Sequence, residues 1–151
     1  MATEEELKAL RESTGKILGV DFGDTRTGLA VSDRNRILAS GIGYVSPGGI
    51  EKTADSVAGI AVEQGAVAAV VGLPRNMDGS EGFRAERCRQ FAGMLAERLG
   101  IPVVLMDERL TTVSATRYLN ETNTRGSRRK GVIDTLSAQI ILQNLLDRLK
   151  N

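Results

Sequence analysis

Apolar residues fall along this chain in two rhythms. Short apolar runs occur at Ile17–Val20, Thr27–Ser32 and Ile37–Tyr44, joined only by "DFGDTR" and "DRNR". Links that short predict an antiparallel meander of three strands. "SPGG" at Ser46–Gly49 then breaks the pattern,. Ile50, Ala54, Val57 and Ala61 recur at helical spacing, which predicts a helix over Ile50–Gln64, weakened by Gly59,. "AVAAVVGL" (Ala66–Leu73) is apolar without alternation, as expected of a strand buried on both faces,. After the loop "PRNMDGSEG", a helix ends at Leu99–Gly100, with Ser80 its expected N-cap,. "PVVLM" predicts another buried strand, running into "DER". "LTTVSATRYLN" suits a short helix capped by Thr111 or Thr112, "ETNTRGSRRK" a basic loop, and Val132–Lys150 a closing helix,. The first residues, "MATEEELKALRESTGK", are expected to be a frayed extension or one short helix over 1–15, ahead of a single domain over 16–151.

The predicted order is β-β-β-α-β-α-β-(α)-α. A meander followed by two crossovers gives an α/β fold: a mixed five-stranded sheet, three strands antiparallel and two parallel, with helices on both faces. In such sheets the working crevice lies beyond the carboxyl ends of the parallel strands. Strand one ends there on Asp21, strand four near Gly72, and strand five on Asp107 and Glu108.

Composition narrows the chemistry. The chain has 151 residues, 41% of them hydrophobic, which suits one globular domain,. No apolar run approaches the ~20 residues of a membrane span. The acidic N-terminus lacks the apolar core of a signal peptide,. A cytoplasmic protein without membrane partners is therefore expected. There is no histidine, which removes histidine bases, Ser-His-Asp chemistry and imidazole zinc sites,. The one cysteine, Cys88, shares a helical face with Phe91, Ala92, Leu95 and Leu99 and reads as a buried structural thiol,. Net charge is only +1 and aromatics make up 3%, so nucleic acid would be bound locally, through backbone and shape,. Any catalysis must rest on carboxylates, hydroxyls, lysine or arginine, and carboxylates with hard metal ions are the natural candidate.

Three acids stand where such ions are needed. Ile17, Gly19 and Asp21 share one face of the first strand, and Gly19 is expected to leave open space beneath the Asp21 side chain,. Asp107 and Glu108 face opposite ways, and parity alone does not choose between them. Asp134 sits in the first turn of the closing helix on the stripe of Ala138, Ile141 and Leu145,. Taken alone it could merely complement the helix dipole. Together, three converging carboxylates repel and drive one another to protonate unless a cation neutralises them. Two divalent ions about 4 Å apart would do so and would activate a water for phosphodiester hydrolysis.

The segments "LGVDFGDTRTGLAVSD", "VVGLPRNMDGSEG", "DERLTTVSA" and "RRKGVIDTLSAQIILQNLLD" resemble the YqgF (RuvX) family from Lys16 to Asp147. Its members are described as pre-16S rRNA nucleases and as Holliday-junction resolvases. The resemblance implies an RNase H-like fold, Mg²⁺ or Mn²⁺ as cofactor, and Asp21, Glu108 and Asp134 as the catalytic, metal-binding acids. Asp107 becomes a structural acid beside them. Ser137, where the family usually has alanine, is a mild departure. Thr25, Arg26 and Gly28 shape the first hairpin. Substrate contacts are expected from Arg26, from Arg75 and Asn76 at the end of strand four, from Arg109, and from Arg125, Arg128, Arg129 and Lys130 just before Asp134. A basic run is usually a solvated face, but beside the acids phosphate binding fits better.

These features favour a metal-dependent endonuclease acting on structured RNA, with pre-16S rRNA processing and ribosome-associated partners implied by the resemblance. Branched DNA is the alternative substrate. A non-catalytic ribosome-assembly factor that kept the acids is a further reading. An ATP-binding protein of the actin and sugar-kinase type would share "DFGDTRTG", but such proteins close two such domains around the nucleotide and this chain supplies one.

Overall fold

The computed structural model of the chain describes residues 1–46, 48–76, 78–107 and 126–150, with side chains from Val132 onward in the last stretch. Its elements are α1 (Glu4–Glu12), β1 (Lys16–Asp21), β2 (Thr27–Ser32), β3 (Ala39–Val45), α2 (Ile50–Gln64), β4 (Ala66–Leu73), α3 (Phe83–Leu99), β5 (Val103–Asp107) and α4 (Gly126–Leu149). The strands form one sheet in the order β3-β2-β1-β4-β5. β1 pairs antiparallel with β2, and β2 with β3, whereas β4 runs parallel to both β1 and β5. This is the expected mixed sheet of a meander plus two parallel strands.

The sheet divides the interior into two cores. Leu18, Val20, Val71 and Leu73 pack with Val57 of α2 and Cys88, Phe91 and Leu95 of α3 on one face. Ile17, Val70, Val104 and Met106 pack with Leu142 and Leu145 of α4 and Leu7 and Leu10 of α1 on the other. β4 supplies both cores, which is why its sequence shows no alternation. Cys88 is buried, as its helical face implied. The first residues form a true helix: Thr3 and Glu6 make a reciprocal capping box, and Leu7 and Leu10 are buried,.

Several expectations need correction. The third strand starts at Ala39 rather than Ile37. The backbone N–H groups of Ile37 and Leu38 donate to Asp33 Oδ1 at 2.8 and 3.0 Å, and both side chains are exposed. Those hydrogen bonds build a turn in place of two ladder positions, and they hold the Asp33 carboxyl below its usual pKa. Ser80 is not the cap of α3, because Gly82 occupies that position without a side-chain bond. The Ser80 hydroxyl is held within its own loop, donating to Asp78 Oδ1 at 2.6 Å. The closing helix begins at Gly126 and not near Val132, so the stretch 126–130 is helical rather than loop. Arginine and lysine are good helix formers, and apolar periodicity does not register a helix's polar start. The predicted short helix with Thr111 and Thr112 lies outside the described residues.

Helix α4 lies unusually close to the sheet. Gly19, Ala30 and Gly41 form one row across β1, β2 and β3, and Asp21, Gly28 and Tyr44 form the next. A Cβ at Gly19 would stand 2.7 Å from Leu142 Cβ, and one at Gly41 would stand 2.6 Å from Thr135 Cγ2. The space expected beneath Asp21 is therefore filled by this helix. A bulge between Leu29 and Ala30 on the β2 side adds Ile42 to β3, so Tyr44 and not Gly43 shares the α4 face,.

Ser137, 1% exposed on α4, has a hydroxyl with no hydrogen-bond partner among the described residues. A buried unsatisfied hydroxyl costs on the order of 1 kcal/mol. Ser137→Ala should therefore raise stability by about that amount in a urea or thermal unfolding measurement. A variant less stable than the wild type would contradict this packing.

Candidate active site

Asp21 is the last residue of β1, and its direction is fixed by its neighbours. Val20 and Phe22 are buried on the α2–α3 side, where Phe22 stacks on Phe91 with ring centroids 4.5 Å apart. Strand alternation then sends Asp21 to the α4 face. There it pairs across the ladder with Gly28. Opposed residues of antiparallel strands have Cα atoms roughly 5 Å apart. Over Gly28 lies the backbone of Asp134: a Cβ on Gly28 would overlap the Asp134 carbonyl and come within 2.9 Å of Thr135 N. Only glycine permits this approach, and it sets the Asp134 backbone over the strand position paired with Asp21.

Asp134 is the ninth residue of α4, more than two turns from Gly126,. Helix-dipole effects fade within the first turn, so the dipole does not explain an acid here. Its carboxylate is three-quarters buried and accepts a hydrogen bond from Arg26 Nε at 2.9 Å. Burial nevertheless wins: desolvation pushes the Asp134 carboxyl above its usual pKa, and the hydrogen bond and charge of Arg26, with the charge of Arg84, recover only part of that. The cost of burying this carboxylate is thus only partly offset even with an arginine in contact.

Strand five contributes by parity. Val103 and Leu105 pack on the α2–α3 side while Val104 and Met106 pack on the α4 side. Asp107, paired with Leu73, therefore falls on the face away from Asp21,. Glu108 lies outside the described residues, and among the described residues no three acids gather as a metal cluster. The donors at hand are carboxylate oxygens with no imidazole or thiolate, which suits a hard cation such as Mg²⁺ or Mn²⁺.

The expected substrate residues are distributed as follows. Arg26 is in the site, engaged with Asp134. Arg75 and Asn76 leave β4 at the same end of the sheet, but both serve their own loop. Arg75 Nε lies 3.8 Å from Glu81, and the Asn76 side-chain amide donates to Ser80 Oγ at 2.9 Å. Glu81 also takes a paired contact from Arg89 at 2.8 Å, which keeps its carboxyl below the usual pKa. Positions 128–130, carrying Arg128, Arg129 and Lys130, fall in α4 ahead of Asp134. Arg109 and Arg125 lie outside the described residues.

Three contributors were not singled out by sequence as members of this site. Gly28 reads there only as a hairpin former, and its role needs the pairing register. Arg84 acts on Asp134 from the start of α3, and its place just after the β4 loop was the available signal. Tyr44, half exposed, stands in the row of Asp21 and Gly28, and only the bulge reveals that.

Known proteins resemble this chain in sequence and in fold. Residues 15–148 match the RuvX family, described as Holliday junction resolvase. A protein of Myxococcus xanthus named "Putative pre-16S rRNA nuclease" is 46% identical over 132 residues, covering 87% of each chain. One of the same name from Cereibacter sphaeroides is 45% identical over 145 residues, covering 96% of this chain and 91% of its own. Among solved structures, T. thermophilus RuvC in complex with a Holliday junction substrate has a TM-score of 0.57 at 14% identity, covering 91% of this chain and 97% of that one. Fowlpox virus resolvase with Holliday junction DNA has a TM-score of 0.59 at 10% identity, covering 90% and 99%. These two likenesses show a shared RNase H-like fold.

Because desolvation outweighs Arg26, ionised Asp134 costs stability. Its native pKa lies above the unfolded one, so this cost is absent below the ordinary carboxylate range and complete above the raised native value. In protein stripped of divalent ions, Asp134→Asn should be at least as stable as the wild type at pH 7, the difference closing as pH falls below about 4. Unfolding curves showing the variant less stable at pH 7 would mean that the Arg26 pair dominates. The Asp134 backbone lies over Gly28, the ladder partner of Asp21, in a fold shared with resolvases, and on its match over residues 15–148 the chain belongs to the RuvX family.

Proposed function

We propose that this chain is a metal-dependent endonuclease that hydrolyses phosphodiester bonds in structured RNA, with pre-16S rRNA as its substrate. The observation that carries this reading is the close approach of the Asp134 backbone to Gly28, the ladder partner of Asp21, at the carboxyl end of the parallel strands. Kinship with relatives named as pre-16S rRNA nucleases supports the substrate. The family description and the junction complexes of its fold relatives support branched DNA as a second reading.

Asp21, Glu108 and Asp134 are the residues that would hold Mg²⁺ or Mn²⁺. Such ions supply a water of lowered pKa and neutralise charge on the departing oxygen. Asp107 faces away, which leaves Glu108 as the candidate from its strand. Arg26 neutralises Asp134 while the site is short of charge, and its guanidinium suits a substrate phosphate once that carboxylate is otherwise paired. Arg84 and the basic positions 128–130 flank the acids and favour a polyanion. Among the described residues no helix is long and apolar enough to cross a membrane; a cytoplasmic location and ribosome-associated partners are proposed on the kinship with relatives named as pre-16S rRNA nucleases.

A cleavage assay tests this on a precursor rRNA fragment, a four-way DNA junction and linear controls, each with Mg²⁺ and with Mn²⁺. The wild type should cut the precursor. Asp21→Asn, Glu108→Gln and Asp134→Asn should each lose about 100-fold or more, since even outer partners of metal ligands cost 10- to 100-fold. Unchanged cleavage in these variants would sink the carboxylate mechanism. Cutting of the junction alone would select the second reading.

A further inference from the structure

The end of the sheet opposite the acids carries a second concentration of charge. Two adjoining cavities of about 410 and 490 Å³ open there and share Thr14, Arg34 and Asn35 in their walls. Arg11, Arg36 and Lys150 line the first and Lys16 the second, and among the described residues no carboxylate lines either. In a chain of net charge +1, five cations around one cleft mark a strongly positive local field,.

Two of these cations are fixed in place by neutral oxygens. Arg36, held at φ 58°, donates from Nε to Gly15 O at 2.7 Å and from a terminal nitrogen to Ser13 Oγ at 2.9 Å, with a further bond to Leu10 O. Arg11 donates to Leu149 O and Arg148 O, each at 3.1 Å, which ties α1 to the end of α4. Carbonyls and hydroxyls hold a guanidinium without cancelling its charge. Among the described residues, Arg11, Lys16, Arg34 and Arg36 make no ion pair. The nearby acids are engaged elsewhere or stand outside the cleft. Asp33 accepts from Ile37 and Leu38, Asp147 accepts from Gln143 and lies 3.9 Å from Lys150, and Glu12 is exposed on α1.

We propose that this cleft is a second phosphate-backbone site, which grips structured RNA at a distance from the acids. Its choice of ligand rests on the nuclease reading above. β1 runs from Lys16 at the cleft to Asp21 at the acids. Five steps at about 3.3 Å each separate them by roughly 17 Å, about five base-pair rises of a duplex. A dinucleotide cannot touch both ends, whereas a folded RNA can. The cleft thus favours long, structured substrates over short single-stranded ones, without reading a base.

The test measures binding of a 20-base-pair RNA hairpin by fluorescence anisotropy across a salt series, for the wild type, Arg34→Gln and Lys16→Gln/Arg34→Gln. Unfolding curves confirm that the variants are folded, and Arg34→Gln alone guards against damage to β1 by the Lys16 change. Loss of two phosphate contacts should reduce the slope of log affinity against log salt by about 2 in the double variant and by about 1 in the single one. Cleavage of a short RNA stem that reaches the acids but not the cleft should stay at the wild-type rate. Unchanged hairpin affinity and slope in both variants would overturn the cleft as a phosphate site, and cleavage by the wild type would still stand. Conversely, weakened binding in the variants with no cleavage by the wild type would support the cleft and overturn the nuclease reading.

Discussion

The close approach of α4 to the sheet is the constraint on which the rest of this molecule depends. Three neighbouring strands present Gly19, Ala30 and Gly41 in one row, and the helix lies on that floor through Leu142, Ala138 and Thr135. Interiors are close-packed, so backbone can come this near only where side chains are missing. The approach seals the second core, since Leu142 and Leu145 then reach Ile17, Val70 and Val104. One row further on it has a chemical consequence. Gly28 admits the Asp134 backbone, so an acid-bearing turn from late in the chain lies over the ladder partner of an acid from its beginning. The packing that completes the core is also what the proposed site depends on.

That arrangement works against stability. Asp134 is largely buried, and its carboxyl sits above the usual pKa although Arg26 touches it at 2.9 Å. A chain selected only for stability would place an apolar or neutral residue here, because burying a charge is unfavourable unless it is fully paired. Retaining the acid makes sense if the missing positive charge is supplied in use. The absence of histidine fits the same logic, since oxygen donors alone suffice for a hard divalent ion,. The opposite end of the sheet shows the reverse condition, cations held by neutral oxygens with their charge uncancelled. A polyanion long enough to reach both ends would meet these cations directly and the acids only through the divalent ions that neutralise them.

Much of the fold was readable from local pattern. α2 and β4 were predicted at their observed limits, because helical spacing and an unbroken apolar run are properties of the segment itself. Errors arose where a tertiary or polar feature decided the outcome. Asp33 captured two backbone N–H groups that alternation assigned to β3. The start of α4 is polar and gives no apolar signal before Val132. Gly19 suggested a void because the sequence does not show what packs on it, and the structure fills that place with Leu142. The acids themselves were legible as strand-end and helix-face carboxylates. The link between their two segments was not, since it depends on Gly28 pairing with Asp21 while lying under the Asp134 backbone.

The central claim is that Asp21 and Asp134 form one divalent-ion site built over Gly28. Paramagnetic broadening of backbone amide NMR signals by Mn²⁺ tests it directly, because broadening falls off steeply with distance from the ion. The account predicts that the signals of Asp21, Phe22, Gly28 and Thr135 vanish first, while those of Lys16 and Gly65 at the far end persist. Broadening spread evenly over the exposed surface acids, or centred on the far end of the sheet, would contradict it.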